Sequence, residues 1–320
     1  MHLAGGYDTH TVLSVAFHSL LPMFTMEEAR TLRLVCREFR DTVAAYPWAD
    51  HCVLRSRVRQ WRRSFPLAKI ALVANWAALL QPVDFCYLEG LRELDLCSCK
   101  LTDDVFRHFR GIKTLNVGRT NITGEGFVHL AGIESLTVDD CPVTDDAFRH
   151  LPGLRRLSVR ATKVTNAAFQ HLKSLRSLDV GWCELIRDDA FAGLALEELN
   201  MNWCTQITDA AFVHFTGLRR LSMIYCRQIT PAAFAHLKVI TELDIGRCAR
   251  LDASIFDHIR TVRNLNMMGC TGIHTTPEAM NKGLPVVEIL CIDDCTASVK
   301  AAAHAMGFLC HLGLRRRVYV

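Results

Sequence analysis

Apolar and polar residues follow one recurring order along most of this chain. Residues 196–217, LEELNMNWCTQITDAAFVHFTG, display it most fully: Leu196, Leu199 and Met201 fall at the spacing LxxLxL, and Cys204 follows. Successive side chains of an extended segment point to opposite faces, so this spacing predicts a short strand with one apolar face. The second half, ITDAAFVHF, predicts a short helix opened by Thr208 as N-cap, with Phe212 and Phe215 turned inward. Further copies begin at Leu91, Ile112, Ile133, Leu154, Leu175, Leu218, Ile240, Val262 and Val287. An earlier one is read at Leu67, Ile70, Leu72 and Asn75, directly after Pro66, and a degenerate last strand at Leu309, Leu312 and Leu314, before Arg315, Arg316 and Arg317.

One copy cannot bury its own apolar face; stacked copies can. Self-similarity at a period of about 20–29 residues is the mark of a leucine-rich repeat. The expected fold is α/β: a right-handed solenoid over residues 67–320, with a curved parallel sheet inside, helices outside, about eleven repeats and a terminal cap.

Eight of the 14 cysteines occupy one repeat position: Cys99, Cys141, Cys183, Cys204, Cys226, Cys248, Cys270 and Cys295. Thr120 and Thr162 fill it in two other coils. These side chains share a short reach and local hydrogen bonding, which suits a turn with backbone groups to satisfy. Stacked side chains run parallel rather than toward each other, so reduced structural thiols are expected, and no CxxC pair points to a metal. Reduced thiols suggest a cytoplasmic or nuclear compartment. The net charge of +4 says little about partners. No apolar run of about 18 residues predicts a membrane span, and no secretory signal is read at the N-terminus.

Before the repeats, Leu13, Phe17, Leu20 and Leu21 form one helical face stopped by Pro22, and Leu32, Val35, Cys36, Phe39 and Val43 form a second. The stretch SLLPMFTMEEARTLRLVCREFRDTVAAYPW resembles an F-box in its apolar helix, Leu-Pro, LVCREFR and distal Trp48. It departs upstream, where residues 7–11 lack the family's usual Leu-Pro-x-Glu opening. With cysteine-bearing repeats behind it, nearly the whole chain resembles the F-box/leucine-rich-repeat substrate receptors. The resemblance implies a helical domain over residues 1–50 that holds the Skp-type adaptor of a cullin ubiquitin ligase. It assigns adaptor binding to Phe17, Leu21, Pro22, Leu32, Val35, Cys36, Phe39 and Trp48. A plain helical cap on the first coil is the alternative. Residues 51–66 read as a basic amphipathic linker helix, with Leu54, Val58, Trp61 and Phe65 on one face and Arg55, Arg59, Arg62 and Arg63 largely opposite. That basic face is solvated, or meets nucleic acid or a membrane surface.

Between the inward leucines, alternate residues are expected to line the concave surface. Just before the cysteine position, successive coils place Trp182, Trp203, Tyr225 and Arg247, with Arg160 nearby. Neighbouring rungs about 4.8 Å apart would join these rings into one ledge. Trp, Tyr and Arg are the residues enriched in binding hot spots, so these five are the candidate site for a protein partner, with rings lying flat over the strand-to-turn edge as the alternative. The other exposed rungs mix both signs, which disfavours a polyanion along the arc. On the outer face His108, His129, His150, His171, His214, His236 and His258 form a ladder, read as groove filling or as a pH-sensing or metal stripe. No phosphate loop, GxSxG or HExxH motif appears, so neither catalysis nor a cofactor is expected. The expected function is a non-enzymatic substrate receptor of a ubiquitin ligase; the alternative is a free-standing repeat module that binds or inhibits a protein.

Overall fold

The computed structural model describes residues 19–48, 53–54, 58–73 and 80–308. Phe17, Asn75 and the degenerate strand at 309–317 lie outside the described residues. Among the described residues twelve strands form one parallel sheet in chain order, from Val53–Leu54 to Ile289–Cys291. From Glu93–Asp95 onward each strand is three residues long, and its middle residue is the second apolar position of LxxLxL. Leu178 therefore faces Leu199, which faces Leu221, in an unbroken inward row. The chain is a leucine-rich repeat solenoid, and its apolar positions form one continuous core along the stack.

Most outer segments are 3₁₀ helices of four to seven residues, such as Asp103–His108 and Asp209–His214. Among the described outer segments only Pro277–Gly283 and Ala297–Ala305, at the end of the stack, are α-helices. A 3₁₀ turn rises about 2.0 Å per residue against about 1.5 Å for an α turn, so a short outer segment still spans the coil. Thr208 caps its helix by accepting from the Ala210 amide, and Phe212 and Phe215 are buried, as the pattern predicts. Phe106, Phe127 and Phe148 meet edge to face from coil to coil, at 5.4 and 6.0 Å between ring centres.

A second device fixes the outer register. Asp188 accepts from the Thr208 amide at 2.8 Å and from its hydroxyl at 2.7 Å, one coil on. Asp103, Asp145 and Asp209 hold Thr123, Thr165 and Thr230 in the same way.

The first coil corrects the expected register by one residue. Ala71 pairs with Leu94, so Ala68 and Ala71 are the inward positions, and both are buried. Leu67, expected inside, is 43% exposed. A one-residue slip moves every side chain to the other face. Here the large side chains of Trp48 and Phe65 join the core beside the two alanines. The linker also differs from one continuous helix: Val53–Leu54 pairs with Leu72–Val73 as a strand, and the helix spans only Val58–Ser64. Arg62 is not part of a solvated basic face. Its guanidinium donates to the carbonyls of Tyr87 at 2.8 Å and Ala68 at 3.1 Å. Arg59 lies over the Tyr87 ring at 5.8 Å, and Arg55 lies outside the described residues.

Ahead of the linker, α-helices Met26–Leu32 and Arg37–Ala45 make a small helical head. Thr25 and Glu28 cap the first reciprocally as a capping box. The head docks on the stack through Trp48, whose carbonyl accepts from the Lys69 amide at 3.0 Å and whose ring meets Phe65 edge-on at 6.0 Å. No described helix is long and apolar enough to cross a membrane.

Candidate partner-binding surfaces

The residue before each cysteine position holds a backbone conformation that L-residues rarely adopt. Ser98, Arg119, Asp140, Ala161, Trp182, Trp203, Tyr225, Arg247 and Asp294 all have φ between 53° and 64°, and Gly269 joins them at 70°. The left-handed region costs a non-glycine residue about 1–2 kcal/mol. In all of these but Asp294 an inter-coil hydrogen bond from the residue's amide holds it. The Trp182 amide donates to the Asn202 carbonyl, Trp203 to Ile224 and Tyr225 to Gly246, at 2.8, 2.8 and 3.0 Å.

This conformation relocates the predicted ledge. The rings do not project from the strands; they stand in the turn just beyond, at the rim of the concave face. Trp182 and Trp203 stack with ring centres 4.3 Å apart, and Trp203 and Tyr225 at 3.9 Å, with interplanar angles of 15° and 20°. Arg247 closes one end: its guanidinium carbon lies 5.5 Å from the Tyr225 ring centre, and Nη1 donates to the phenol oxygen at 2.9 Å. Arg227 approaches the same ring at 5.6 Å. Arg160 is exposed and leans back over its neighbour strand, with Nη1 4.0 Å from Asp179 Oδ2. The rings thus neither lie flat on the core nor line the strand face; they form a standing column open to solvent along its edges.

The strand face itself is a polar ladder that largely satisfies its own groups. Asn116 donates to Asp95 at 3.0 Å, Asn200 to Asp179 at 2.9 Å and Asn266 to Asp244 at 3.1 Å. Burial pushes the Asp179 and Asp244 carboxyls above their ordinary range, against the hydrogen bonds they accept.

Behind the rim, every thiol of the cysteine column except Cys99, which turns to the Cys97 carbonyl of its own coil, donates to a main-chain carbonyl of the preceding coil. Cys204 reaches Val180, Cys226 reaches Met201 and Cys248 reaches Met223, each at 3.1 Å. Thr120 and Thr162 instead reach Val117 and Val159 of their own coil at 2.6 Å. Burial pushes the Cys204 and Cys248 thiols up to about 12, with neighbouring Cys183 and Cys270 adding to the rise. All the described cysteines are free thiols.

The adaptor set divides. Leu21 and Trp48 are fully buried, so they support the head and offer no surface to a partner. Leu32 and Phe39 are half-buried. Pro22, Val35 and Cys36 are exposed, Val35 to 66%. Leu34, outside the predicted set, is the most exposed of this group at 84%, and Met23 stands out beside Pro22. A helical stripe pattern could not separate them, because Leu34 and Val35 follow the end of Met26–Leu32 rather than continuing its face. On the outer face, His108 shares a 2.6 Å hydrogen bond with Glu89, and His129, His150, His214 and His258 are half-buried between neighbouring coils.

The fold is that of a leucine-rich repeat solenoid. The family described as Leucine Rich repeat matches residues 171–195. No curated protein sequence matches the chain. Among solved structures, an internalin from Listeria monocytogenes is similar over 84% of this chain and 81% of its own, at 17% identity and a TM-score of 0.59. TLR13 from a TLR13–ssRNA13 complex is similar over 83% of this chain, at 15% identity and a TM-score of 0.53. The chain spans 45% of the length of that protein.

Proposed function

We propose that this chain is a non-enzymatic receptor that holds a target polypeptide on the Trp182–Trp203–Tyr225 column and presents it to a ubiquitin ligase through the helical head. The column carries the reading. Its three stacked rings stand in a rim position with no packing duty in the core, and each such ring can bury about 150–250 Å² against a partner. The head supports the second half: Met23, Leu34 and Val35 leave apolar surface in water beside Pro22 and Cys36, as a docking face for a Skp-type adaptor would. Tethering both components would raise the local concentration of acceptor lysines at the ligase, with the chemistry done by the cullin core and its partners.

One observation favours a second reading, a stand-alone module whose head only caps the stack. Trp48, the distal tryptophan of the resemblance, is spent on docking against Lys69 and Phe65. Co-purification with the adaptor separates the two. Wild type is expected to retain it, Leu34→Asp/Val35→Asp to lose it, and Trp203→Ala to keep the adaptor while losing the target. A wild-type chain that captures a target through the column but never the adaptor leaves the module reading standing.

A further inference from the structure

The aromatic column has two ends, and they differ. One residue per coil contributes to it, in the order Arg119, Asp140, Ala161, Trp182, Trp203, Tyr225 and Arg247. All stand in one register, because each amide donates to the carbonyl of the residue preceding the next rung: Asp140 to Arg160 and Ala161 to Gly181, both at 2.9 Å, then Trp182 to Asn202 at 2.8 Å. At the Tyr225 end the column is closed by its own guanidinium, that of Arg247. At the Trp182 end the next rung is Ala161, which is exposed and ends at Cβ. Trp203 is covered on both faces, whereas Trp182 is 47% exposed.

Beyond the alanine stands Asp140, with its side chain about half exposed and Arg119 Nε 3.4 Å from Oδ2. Two strand spacings, about 9.6 Å, separate the Asp140 and Trp182 rungs. That interval admits one planar group in contact with the indole and still within reach of a carboxylate. Its charges have a sign. Asp139, Asp140 and Asp179 outnumber Arg119 and Arg160 by one: Arg119 is drawn to Asp140 and Arg160 to Asp179, and Asp139, which accepts from the Ser158 hydroxyl and the Arg160 amide, is the carboxylate in excess.

We propose that the Ala161 rung is a slot for a guanidinium: an arginine side chain of the bound polypeptide stacks on the free face of Trp182 and pairs with Asp140. The inference rests on the reading of the column as a partner site and names the chemistry of what enters it. Arg247 on Tyr225 is the internal precedent for this arrangement at the opposite end. An indole is the strongest aromatic partner for a cation, and a flat guanidinium stacks where an ammonium would make only a point contact. A neutral ring would gain the stacking but nothing from the excess carboxylate.

The test uses the full chain and four small probes: Nα-acetyl-arginine amide, the citrulline and tyrosine counterparts, and adenosine 5′-monophosphate. Tryptophan fluorescence and the indole N–H resonance of Trp182 are followed on titration. The expected result is a saturable shift with arginine, weakened by salt, and about two- to fivefold weaker binding of the isosteric but neutral citrulline, the worth of an exposed cation–π contact. Asp140→Asn weakens the arginine response, and Ala161→Arg abolishes it by filling the slot from within. Arg119 and Arg247 already occupy this backbone position at φ 58° and 57°, so Ala161→Arg is expected to fold, and its thermal midpoint verifies this. Equal or tighter binding of citrulline, the tyrosine amide or the nucleotide overturns the proposal, as does an arginine response that survives Ala161→Arg. A polypeptide captured by wild type and lost in Trp203→Ala, with no arginine response, removes the slot and leaves the column reading intact.

Discussion

Cys204 donates its thiol to the carbonyl of Val180, one coil upstream, at 3.1 Å. The same bond recurs at Cys183, Cys226, Cys248 and Cys270, so in these coils the cysteine column stitches a turn to the one before it from inside the core. Cys204→Ala removes a buried donor and leaves a small void, at an expected cost of about 1–3 kcal/mol. Cys204→Thr is expected to lose less, since Thr120 and Thr162 satisfy the position by turning to their own coil. Urea midpoints of the two variants check the order.

Thiol titration sets an alkaline limit. A thiol in the unfolded chain has a pKa of about 8.5. The Cys204 and Cys248 thiols are pushed up to about 12 by burial in the folded chain. The folded state therefore holds these protons more tightly, and stability present below about pH 8.5 is lost as pH rises toward 12. Urea midpoints should hold level up to about pH 8.5 and fall steadily by pH 10. At pH 8, alkylation of the native protein is expected to label exposed Cys36 and Cys86 while sparing Cys204 and Cys248, as peptide mass mapping would register.

Asp188 holds both polar hydrogens offered by Thr208, across two coils. Hydrogen bonds to a charged group contribute about 1.5–3 kcal/mol, so Asp188→Ala should destabilise by that order. Asp188→Asn, with a single carbonyl oxygen, should fall between. A reduced dependence of unfolding free energy on urea in the alanine variant would mean that the stack has separated into two cooperative blocks at this joint.

Two substitutions at the left-handed position should move stability in opposite directions. Ala161→Gly relieves an unfavourable φ of 53° at an exposed side chain and is expected to stabilise by up to about 1 kcal/mol. Trp203→Gly relieves a φ of 64° but forfeits two stacked ring contacts of about 0.5–1.5 kcal/mol each, so it should destabilise slightly. Thermal midpoints of the pair decide.

The repeat frame was legible because each coil states its inward positions several times over, and Leu199, Phe212 and Cys204 all sit where that pattern puts them. Four features were not legible, each for its own reason. The first coil carries Ala68 and Ala71 inward, and beside them the more apolar Leu67 draws the pattern one residue off. Val53–Leu54 becomes a strand only because Leu72–Val73 lies alongside it, a partner that no local propensity announces. The left-handed turn is signalled in sequence by glycine, and in this row only Gly269 carries that signal; Ser, Ala, Trp, Tyr, Arg and Asp occupy the other described rungs. The spacing makes these rings neighbours but places them on the strand face rather than in the turn beyond it. In the head, burial of Trp48 and exposure of Leu34 depend on how its helices meet the stack.

Side chains as different as Ser, Asp, Trp and Arg share one backbone shape at the rim, and in every coil but that of Asp294 a cross-coil amide contact holds that shape. Recognition chemistry is thereby uncoupled from foldability. Mutation can rewrite this row socket by socket, trading an indole for a carboxylate or a guanidinium, while the winding beneath stays the same. New specificities are within reach of single codon changes.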